Sequence, residues 1–220
     1  MPTPIIYITR GQMPDDFELG QRDWYRRRHS TDLLSVGFWS ARGYRCPTPP
    51  QNCNVYELPN VKILSSDDYM NMRKNDPFSP TVMKAYTYLS ASVYAQVMVK
   101  DPNGDAVASI PTIRGPILEM VSFDHADGGM AVHDWFERSV VVRPNGAVRT
   151  IRLWEQCAAH PLFPPKEPRW CIAVEWTTDP GTAAAGLLKA AKEAPIKLDN
   201  IRANIATKWY GLVREDIFEN

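Results

Sequence analysis

The fold can be worked out from one stretch of sequence, DWYRRRHSTDLLSVGFWSARGY, which runs from Asp23 to Tyr44. Its first residues return at Asp134–Glu155, which read DWFERSVVVRPNGAVRTIRLWE. The pattern Asp-Trp-aromatic-x-Arg therefore occurs twice, 111 residues apart in a chain of 220, with one copy in each half. This spacing raises the hypothesis that the chain consists of two copies of one structural unit.

The order of predicted elements around the first copy favours that hypothesis. A short apolar run closed by Gly is typical of a buried strand, and acidic residues followed by arginines complement a helix dipole. Two alternating segments beside a proline-rich turn predict strands, and a Ser/Asp cap predicts a second helix. The order is βαββαβ, that of a ferredoxin-like unit. The segments are PIIYITRG, MPDDFELGQRDWYRRRHSTDLLS, GFWSARGYRC, CNVYELPN, SSDDYMNMRKN and LSASVYAQVMV.

The second copy predicts the same order, from the strand PILEMVSFDH to the strand NIRANIATKWYGLVRE. At the 111-residue offset, Ile6 falls on Ile117 and Cys46 falls on Cys157. After a longer second turn, Cys53 falls on Cys171 and Glu57 on Glu175. Chance is the alternative, since Asp-Trp pairs occur in unrelated places, but the matching element order favours a repeat.

We therefore predict an α+β fold of two ferredoxin-like βαββαβ units, residues 1–108 and 109–220. Each unit would carry helices on one sheet face and leave the other face open. Open apolar faces must be buried, so the two sheets should pack as an intramolecular dimeric α+β barrel. A cavity between the two sheets is the expected ligand site.

Charge and composition exclude several classes of partner. The chain has 25 basic and 25 acidic residues, which gives no electrostatic reason to expect nucleic acid or a membrane surface as a partner. The run Arg26–Arg28 is short enough to be a solvated helix face. The first residues lack the apolar length of a signal-peptide core, so we expect a cytoplasmic protein with reduced cysteines.

The residues of the first half also resemble a known family. Asp23–Tyr44, followed by NVYELPNVKILSSDDY, is similar to the EthD-like part of the dimeric α+β barrel superfamily. The shared features are a helix ending near a His, a GF…AR.Y strand, a YEL strand and an S..Y helix. The second half keeps only DWF.R and the element order, and it has Val140 where the first half has His29. The two halves should therefore not carry equal sites.

The resemblance implies a barrel of paired ferredoxin-like units, here within one chain. It also implies cofactor-free chemistry on hydrophobic, often aromatic or polyketide-like, substrates in several members. Other members of the superfamily bind or degrade haem, and the fold does not choose between these activities.

Four residues are the candidates for catalysis. His29 ends the first helix and matches the family pattern, so it could act as general acid or base, or merely complement the helix dipole. His125 follows a strand and could reach a cavity from the sheet rim, or belong to a solvated loop. Tyr44 and Tyr94 lie on predicted strands and could donate a hydrogen bond to a developing oxyanion, although most buried tyrosines only pack.

Five further residues are candidates for substrate binding. Trp24 and Tyr56 offer aromatic surface, although Trp24 could simply pack its helix on the sheet. Arg42 could clamp a carboxylate, and Glu57 could face the cavity with a raised pKa. Asp124 could raise the basicity of His125, yet neighbours on a strand point to opposite faces. His133 and His160 are expected on the surface or in structural roles, and no metal site is predicted.

The predicted function is that of a lyase, decarboxylase, cyclase or isomerase that acts on a hydrophobic aromatic or polyketide-like small molecule without a cofactor. All these reactions pass through a carbanion or enolate, for which a His would move the proton. A haem-binding or haem-oxidising protein with His125 or His29 as axial ligand is one alternative. A non-catalytic ligand-binding or assembly protein is another. Exposed strand edges would also let two chains pair as a homodimer.

Overall fold

The computed structural model describes residues 3–107, 109–126, 128–139, 147–181 and 184–214. Its strands are β1 Ile5–Gln12, β2 Ser40–Arg45, β3 Asn52–Leu58, β4 Tyr88–Lys100, β5 Ile117–Asp124, β6 Val148–Ala159, β7 Trp170–Trp176 and β8 Asp199–Val213. Its helices are α1 Asp15–Trp24, α2 Ser30–Ser35, α3 Asp67–Asn75, α4 Ser79–Ala85, α5 Gly129–Ser139 and α6 Ala184–Lys192. A π turn, Tyr25–His29, joins α1 to α2, and a 3-10 turn spans Val61–Ser65.

The strands form a closed barrel in the order β1-β3-β2-β8-β5-β7-β6-β4. This ring contains the order β4-β1-β3-β2 from the first half of the chain and β8-β5-β7-β6 from the second half. Both are the strand order of a ferredoxin-like unit, so the predicted α+β class and the barrel of two such units are confirmed. Among the described residues, no helix is long and apolar enough to cross a membrane.

The described chain also divides into two compact units. The first unit contains the residues up to Tyr94, the segment Cys157–Lys166 and the residues from Lys208 onward. The second unit contains Ala95–Gln156 and Glu167–Thr207. The predicted boundary between residues 108 and 109 refers to the sequence repeat and stays a prediction. Ala108 and Val140 lie outside the described residues.

Alternation along the strands of the first unit separates two kinds of surface. β3 pairs antiparallel with β1 and β2, with Tyr7 opposite Tyr56 and with Glu57 opposite both Ile6 and Ser40. Because successive side chains point to opposite sheet faces, Tyr7 and Tyr56 share one face and Glu57 lies on the other. Tyr7 and Tyr56 pack in the same core cluster as Tyr25 of the helical layer. The tyrosine face of the sheet is thus the one that the helices cover.

A buried ion pair occupies the other face in the first unit. Arg42 Nη1 donates to Glu57 Oε2 at 2.9 Å, and both side chains are almost fully enclosed. Ser40 Oγ also donates to Glu57 Oε2, at 2.6 Å. Arg42 and Glu57 therefore form a buried pair across β2 and β3, supported by a hydroxyl group.

The second unit repeats this arrangement. Thr150 Oγ1 donates to Glu175 Oε2 at 3.1 Å, and Arg152 Nη2 lies 3.5 Å from the same oxygen. Glu175 Oε2 thus meets a hydroxyl group and an arginine, as Glu57 Oε2 does, in agreement with their match in the sequence repeat. The ladder places Leu118 opposite Glu175, so the structural counterpart of Ile6 is Leu118 and not Ile117. The offset between the two copies differs at this strand, because the sequence comparison matched identical residues, whereas the structural match follows the hydrogen-bonded register of the strands.

The first helix has the charge pattern that the sequence predicted. Asp15, Asp16 and Glu18 occupy the first turn of α1, where carboxylates complement the helix dipole. Arg27 Nε donates to Asp23 Oδ1 at 2.6 Å, and the Arg27 side chain is 71% exposed. The arginine run is therefore a solvated helix face.

Candidate functional site

The first unit contains a cavity between its helices and the covered face of β1 and β3. The empty space within its walls and at its opening to solvent amounts to about 510 Å³. The sequence had led us to expect a cavity between the two sheets, whereas this cavity lies on the helical side of one sheet. Its walls are Tyr7, Thr9, Gln21, Trp24, Tyr25, His29, Leu33, Asn54, Tyr56, Tyr69, Arg73, Ser79, Val82, Met83, Tyr86, Leu89 and Phe163.

The π turn brings two of the predicted site residues together. In a regular α-helix, residues five apart, such as Trp24 and His29, point about 140° away from each other. A π turn holds more residues per turn, so it brings such a pair to the same side of the helix. The rings of Trp24 and His29 stack with their centroids 4.2 Å apart. Ser30 Oγ donates to Tyr25 O at 2.9 Å, within the segment where the helix is widened.

His29 is buried and lacks a partner for one ring nitrogen. The side chain is 8% exposed, and its Nδ1 atom has no hydrogen-bond partner. Burial, followed by the positive charge of Arg73, lowers the pKa of His29 to about 3, while the charge of Asp76 acts in the opposite direction. At neutral pH His29 is therefore a neutral imidazole, which can accept a proton but is charged only at a cost.

Asp76 fixes the position of Trp24. Trp24 Nε1 donates to Asp76 Oδ2 at 2.9 Å. The same carboxylate accepts hydrogen bonds from Ser79 Oγ at 2.9 Å and from Phe78 N at 3.1 Å, at the start of α4. Asp76 thereby satisfies donors at the α4 N-terminus and holds the indole ring against His29.

Several tyrosines make the cavity both aromatic and rich in hydrogen-bond donors. Tyr7 and Tyr56 stack with centroids 5.1 Å apart. Burial raises the pKa of both phenols well above the usual value, and it raises the pKa of Tyr86 to about 12. These phenols remain protonated at physiological pH, so each can donate a hydrogen bond. Gly11 leaves room for Tyr86, because a Cβ atom at Gly11 would lie only 2.2 Å from Tyr86 Cε1.

Arg73 of α3 is the one cationic side chain among the described residues that line the cavity. Tyr69 and Arg73 are four residues apart on α3, so they share a helix face. Arg73 Nη1 donates to Tyr69 OH at 3.4 Å, and the guanidinium lies 4.9 Å from the centre of the Phe163 ring. Neither Tyr69 nor Arg73 was a sequence candidate. The sequence could have pointed to them through the i, i+4 spacing of an aromatic residue and an arginine, which places both on one face of a helix.

Phe163 belongs to the segment Cys157–Lys166, which consists of the last three residues of β6 and the first residues of the longer second turn that follows it. This segment is part of the first unit. Ala91 N donates to Pro164 O at 3.3 Å, and Lys166 N donates to Ser90 Oγ at 2.9 Å. The segment is thus attached to β4, and its Phe163 completes a wall of the cavity.

His160, in the same segment, has the structural role that the sequence suggested. Its Nε2 lies 3.1 Å from Tyr69 OH, and its ring stacks on Tyr7 at 5.1 Å. Burial and the charge of Arg73 lower the pKa of His160 to about 4. His160 therefore supports Tyr7 and Tyr69 behind the cavity wall as a neutral ring.

The remaining sequence candidates lie elsewhere. Arg42 and Glu57 form the buried ion pair described above, and Tyr44 and Tyr94 are buried outside the cavity walls. Of the nine candidates, His29, Trp24 and Tyr56 therefore meet in the cavity.

His125 and Asp124 belong to the second unit. His125 Nδ1 lies 2.8 Å from Lys197 O, and its Nε2 is buried without a hydrogen-bond partner. Asp124 instead accepts hydrogen bonds from Arg169 N at 2.8 Å and Asn200 Nδ2 at 3.1 Å.

The sheet face of the second unit differs at the matching positions. By strand register, Glu119 and Val174 stand where the first unit has Tyr7 and Tyr56. Val174 packs in an apolar core cluster, and Glu119 accepts a hydrogen bond from Trp176 Nε1 at 3.1 Å. The phenol groups of the first unit thus have no counterpart at these two positions. Across the described ranges, no three His, Cys, Asp or Glu side chains gather into a metal site.

Comparison with known proteins identifies the fold. No family model matches the sequence, and no curated protein is significantly similar to it. An anthrone oxidase-like protein matches with a TM-score of 0.65 at 9% identity, covering 97% of this chain and 94% of the other. A monooxygenase-like protein from Fusobacterium nucleatum subsp. nucleatum matches with a TM-score of 0.59 at 8% identity, covering 96% and 95%.

A chlorite dismutase variant from Candidatus Nitrospira defluvii matches with a TM-score of 0.55 at 9% identity, covering 100% of this chain and 96% of the other. All three structures align over nearly their whole length. At such low identity the similarity shows a shared fold, the dimeric α+β barrel.

Proposed function

We propose that the cavity of the first unit binds a hydrophobic aromatic or polyketide-like small molecule and that His29 moves a proton at one of its carbon atoms without a cofactor. One observation carries the proposal: a buried imidazole with an unpartnered Nδ1 stands in the wall of a cavity that seven aromatic side chains also line. Buried polar atoms are seldom left without a partner, and a catalytic role is one of the explanations for those that are. The EthD-like motif of the first half supports the same assignment.

The aromatic walls suit a flat substrate. The stacked rings of Trp24 and His29 and the pair Tyr7 and Tyr56 offer planar surfaces against which a ring system can lie. Phenols that remain protonated can donate a hydrogen bond to a carbonyl oxygen that becomes an enolate. The walls therefore provide binding, orientation and stabilisation of negative charge.

The neutral state of His29 fits the role of a base, although its low pKa makes it a weak one in the empty cavity. An enolate that forms beside the ring supplies an opposite charge, which raises the pKa of the imidazolium. Proton transfer from carbon to His29 would therefore create an ion pair inside the cavity. The same imidazolium can return the proton to another atom, as isomerase, lyase and cyclase reactions require, and it could protonate the enolate that loss of CO₂ leaves in a decarboxylation.

Hydrogen–deuterium exchange at carbon tests this proposal without knowledge of the complete reaction. The protein is incubated in D₂O with a panel of hydroxyaryl ketones, anthrones and aromatic β-keto acids, and loss of C–H signals is followed by proton NMR. We expect enzyme-dependent exchange with at least one class and a loss of about 10²-fold or more in His29→Gln, the range of general acid–base catalysis. His133→Gln, in the second unit, is the matched control and should exchange like the wild type.

An absence of exchange across the panel, or equal exchange in His29→Gln, would contradict the proposal. Tight ligand binding without exchange would support the non-catalytic alternative.

A second candidate is oxidation of the same kind of substrate by dioxygen. The fold shared with an anthrone oxidase-like protein over nearly the whole chain favours it. A deprotonated anthrone-type substrate would again be the reacting species, so His29 would keep its role. Oxygen consumption that depends on substrate and on His29 would identify this reaction. A Soret band in the purified protein would instead support the haem alternative.

A further inference from the structure

We propose that the ligand of this cavity is an anionic aromatic compound and that Arg73 recognises its negatively charged oxygens. The inference rests on the proposed function for the site and deepens it by naming the substrate class. The class comprises aryl carboxylates and the delocalised anions of hydroxyaryl ketones, which present two oxygens in one plane.

The first argument is the set of partners around Arg73. Among the described residues, no carboxylate lies within ion-pair distance of its guanidinium. Its hydrogen bonds go to Tyr69 OH at 3.4 Å and to Met83 Sδ at 3.8 Å, which are both long and neutral. Arginine has five N–H donors arranged to grip two oxygens at once. The charge in the cavity wall therefore has only weak, uncharged partners within the protein.

The second argument is the aromatic setting of that charge. The Arg73 guanidinium lies 4.9 Å from the centre of the Phe163 ring and 5.7 Å from that of Tyr69. Such contacts stabilise the cation through the ring faces and leave donors at the guanidinium edge available for an anion. A ligand with an anionic end beside Arg73 could place its ring system along the aromatic walls. An uncharged ligand would leave the guanidinium without a matching group.

The third argument links Arg73 to the catalytic proposal for His29. The Tyr25 ring lies beside that of His29, and the charges of Arg73 and Asp76 act on the pKa of the imidazole. Arg73 is one of the two causes that lower the pKa of His29, and Asp76 opposes it. An anion paired with Arg73 offsets the positive charge and removes part of that effect. Substrate binding would thus raise the pKa of His29 and make it a stronger base.

Matched charged and neutral ligands test the inference. Binding of 2-naphthoate and of the isosteric neutral 2-naphthamide is measured by titration calorimetry with the wild type, Arg73→Gln, Arg73→Lys and Lys74→Gln. Lys74→Gln removes the same charge from the next, exposed residue of α3 and serves as the control. We expect the wild type to prefer the carboxylate by about tenfold to a hundredfold, the range of a charge-assisted contact.

Arg73→Gln should remove this preference while it binds the amide as the wild type does. Arg73→Lys should keep part of the preference, and Lys74→Gln all of it. Equal affinity of the wild type for acid and amide, a preference that survives in Arg73→Gln, or no binding of the carboxylate at millimolar concentration would each overturn the inference.

A second readout follows the His29 ring by NMR with labelled histidine. Arg73→Gln and saturation of the wild type with the carboxylate should each raise the pKa of His29, whereas an unchanged pKa in both cases would argue against the coupling. The two proposals can fail separately. Arg73-dependent anion binding without carbon exchange would overturn only the proposed reaction. Exchange that depends on His29 but is the same in Arg73→Gln would overturn only the anion inference.

Discussion

Burial without an opposite charge fixes the neutral state of individual side chains in this protein. His29 and His160 both have lowered pKa values, with burial as the leading cause. Glu119 is 2% exposed, and burial raises its pKa to about 8 although Trp176 donates a hydrogen bond to it. Glu57, by contrast, is buried against Arg42. Glu119 thus accepts a hydrogen bond from the indole N–H of Trp176, whereas Glu57 lies against a guanidinium from the neighbouring strand.

Glu119 makes stability depend on pH. Its pKa in the folded protein lies above its unfolded value of 4.5, so its contribution is fully present below pH 4.5 and is lost as the pH rises through 8. Within that window we expect this group to lower the free energy of unfolding by about 1.4 kcal/mol per pH unit. Glu119→Gln keeps an acceptor for Trp176 and should remove that decline in urea unfolding between pH 5 and 8.

The matched control for this prediction is Glu193→Gln, an exposed acid 3.9 Å from Lys189. It should leave the pH profile as it is in the wild type, because exposed ion pairs contribute little. The explanation would be wrong if Glu119→Gln and the wild type showed the same profile.

At the scale of secondary-structure elements, neighbouring strands bring the buried charged side chains together. β2 supplies Ser40 and Arg42, and β3 supplies Glu57, at positions that the antiparallel register brings together. In the second unit, β6 and β7 bring Thr150 and Glu175 opposite each other in the same way. Repetition of the register has therefore reproduced a polar cluster in each unit.

Removal of one partner of the Arg42–Glu57 pair should be costly. Arg42→Met leaves a buried carboxylate without its cation, and we expect a loss of about 3–5 kcal/mol in chemical denaturation. The double variant Arg42→Met/Glu57→Leu should lose much less, because no buried charge is left unpaired. Arg27→Gln, which breaks an exposed pair with Asp23, is the control and should leave the stability almost unchanged, because exposed ion pairs contribute little. A small loss in Arg42→Met would show that water reaches the pair.

At the scale of the whole molecule, the segments that build the first unit come from distant parts of the sequence. The segment Cys157–Lys166 follows 62 residues of the second unit, Ala95–Gln156, and yet supplies Phe163 to the cavity. The covered sheet face of the first unit carries Tyr7 and Tyr56, whereas Glu119 and Val174 take these places in the second unit. One chain can thus repeat a fold and keep a different side-chain surface on each copy.

Phe163 should matter for ligand binding more than for stability. Phe163→Ala removes a cavity wall and the ring beside Arg73, so we expect affinity for an aromatic carboxylate to fall about tenfold, from lost aromatic and cation contacts. Because the side chain is only half-buried, the cost in stability should be about 1 kcal/mol. Leu162→Ala, at the neighbouring exposed position, is the control for both titration calorimetry and thermal unfolding. Equal affinities in the two variants would exclude Phe163 from the site.

The sequence alone was sufficient for the fold class, the repeated βαββαβ order and the match of Glu57 with Glu175. His29, Trp24 and Tyr56 were among its candidates and line the cavity, although the sequence led us to expect a cavity elsewhere, and their roles stay a prediction. The fold class and the repeat depend on short-range information. Alternation and turn residues reveal strands, charge order reveals the first helix, and a repeated motif reveals the duplication. The difference between the halves was also visible, because His29 has no histidine at its matching position.

The location and chemistry of the cavity required the three-dimensional structure. The stacking of Trp24 on His29 depends on one extra residue in a helical turn, which propensities do not predict. Arg73 and Phe163 meet only because a segment beyond β6 packs against α3, and no local pattern encodes a contact over 90 residues. The low pKa of His29 arises from burial, which is a property of the packed chain. Local sequence can specify helices and strands. The residues that set the protonation state of His29 and line the cavity come together only when distant helices and strands pack.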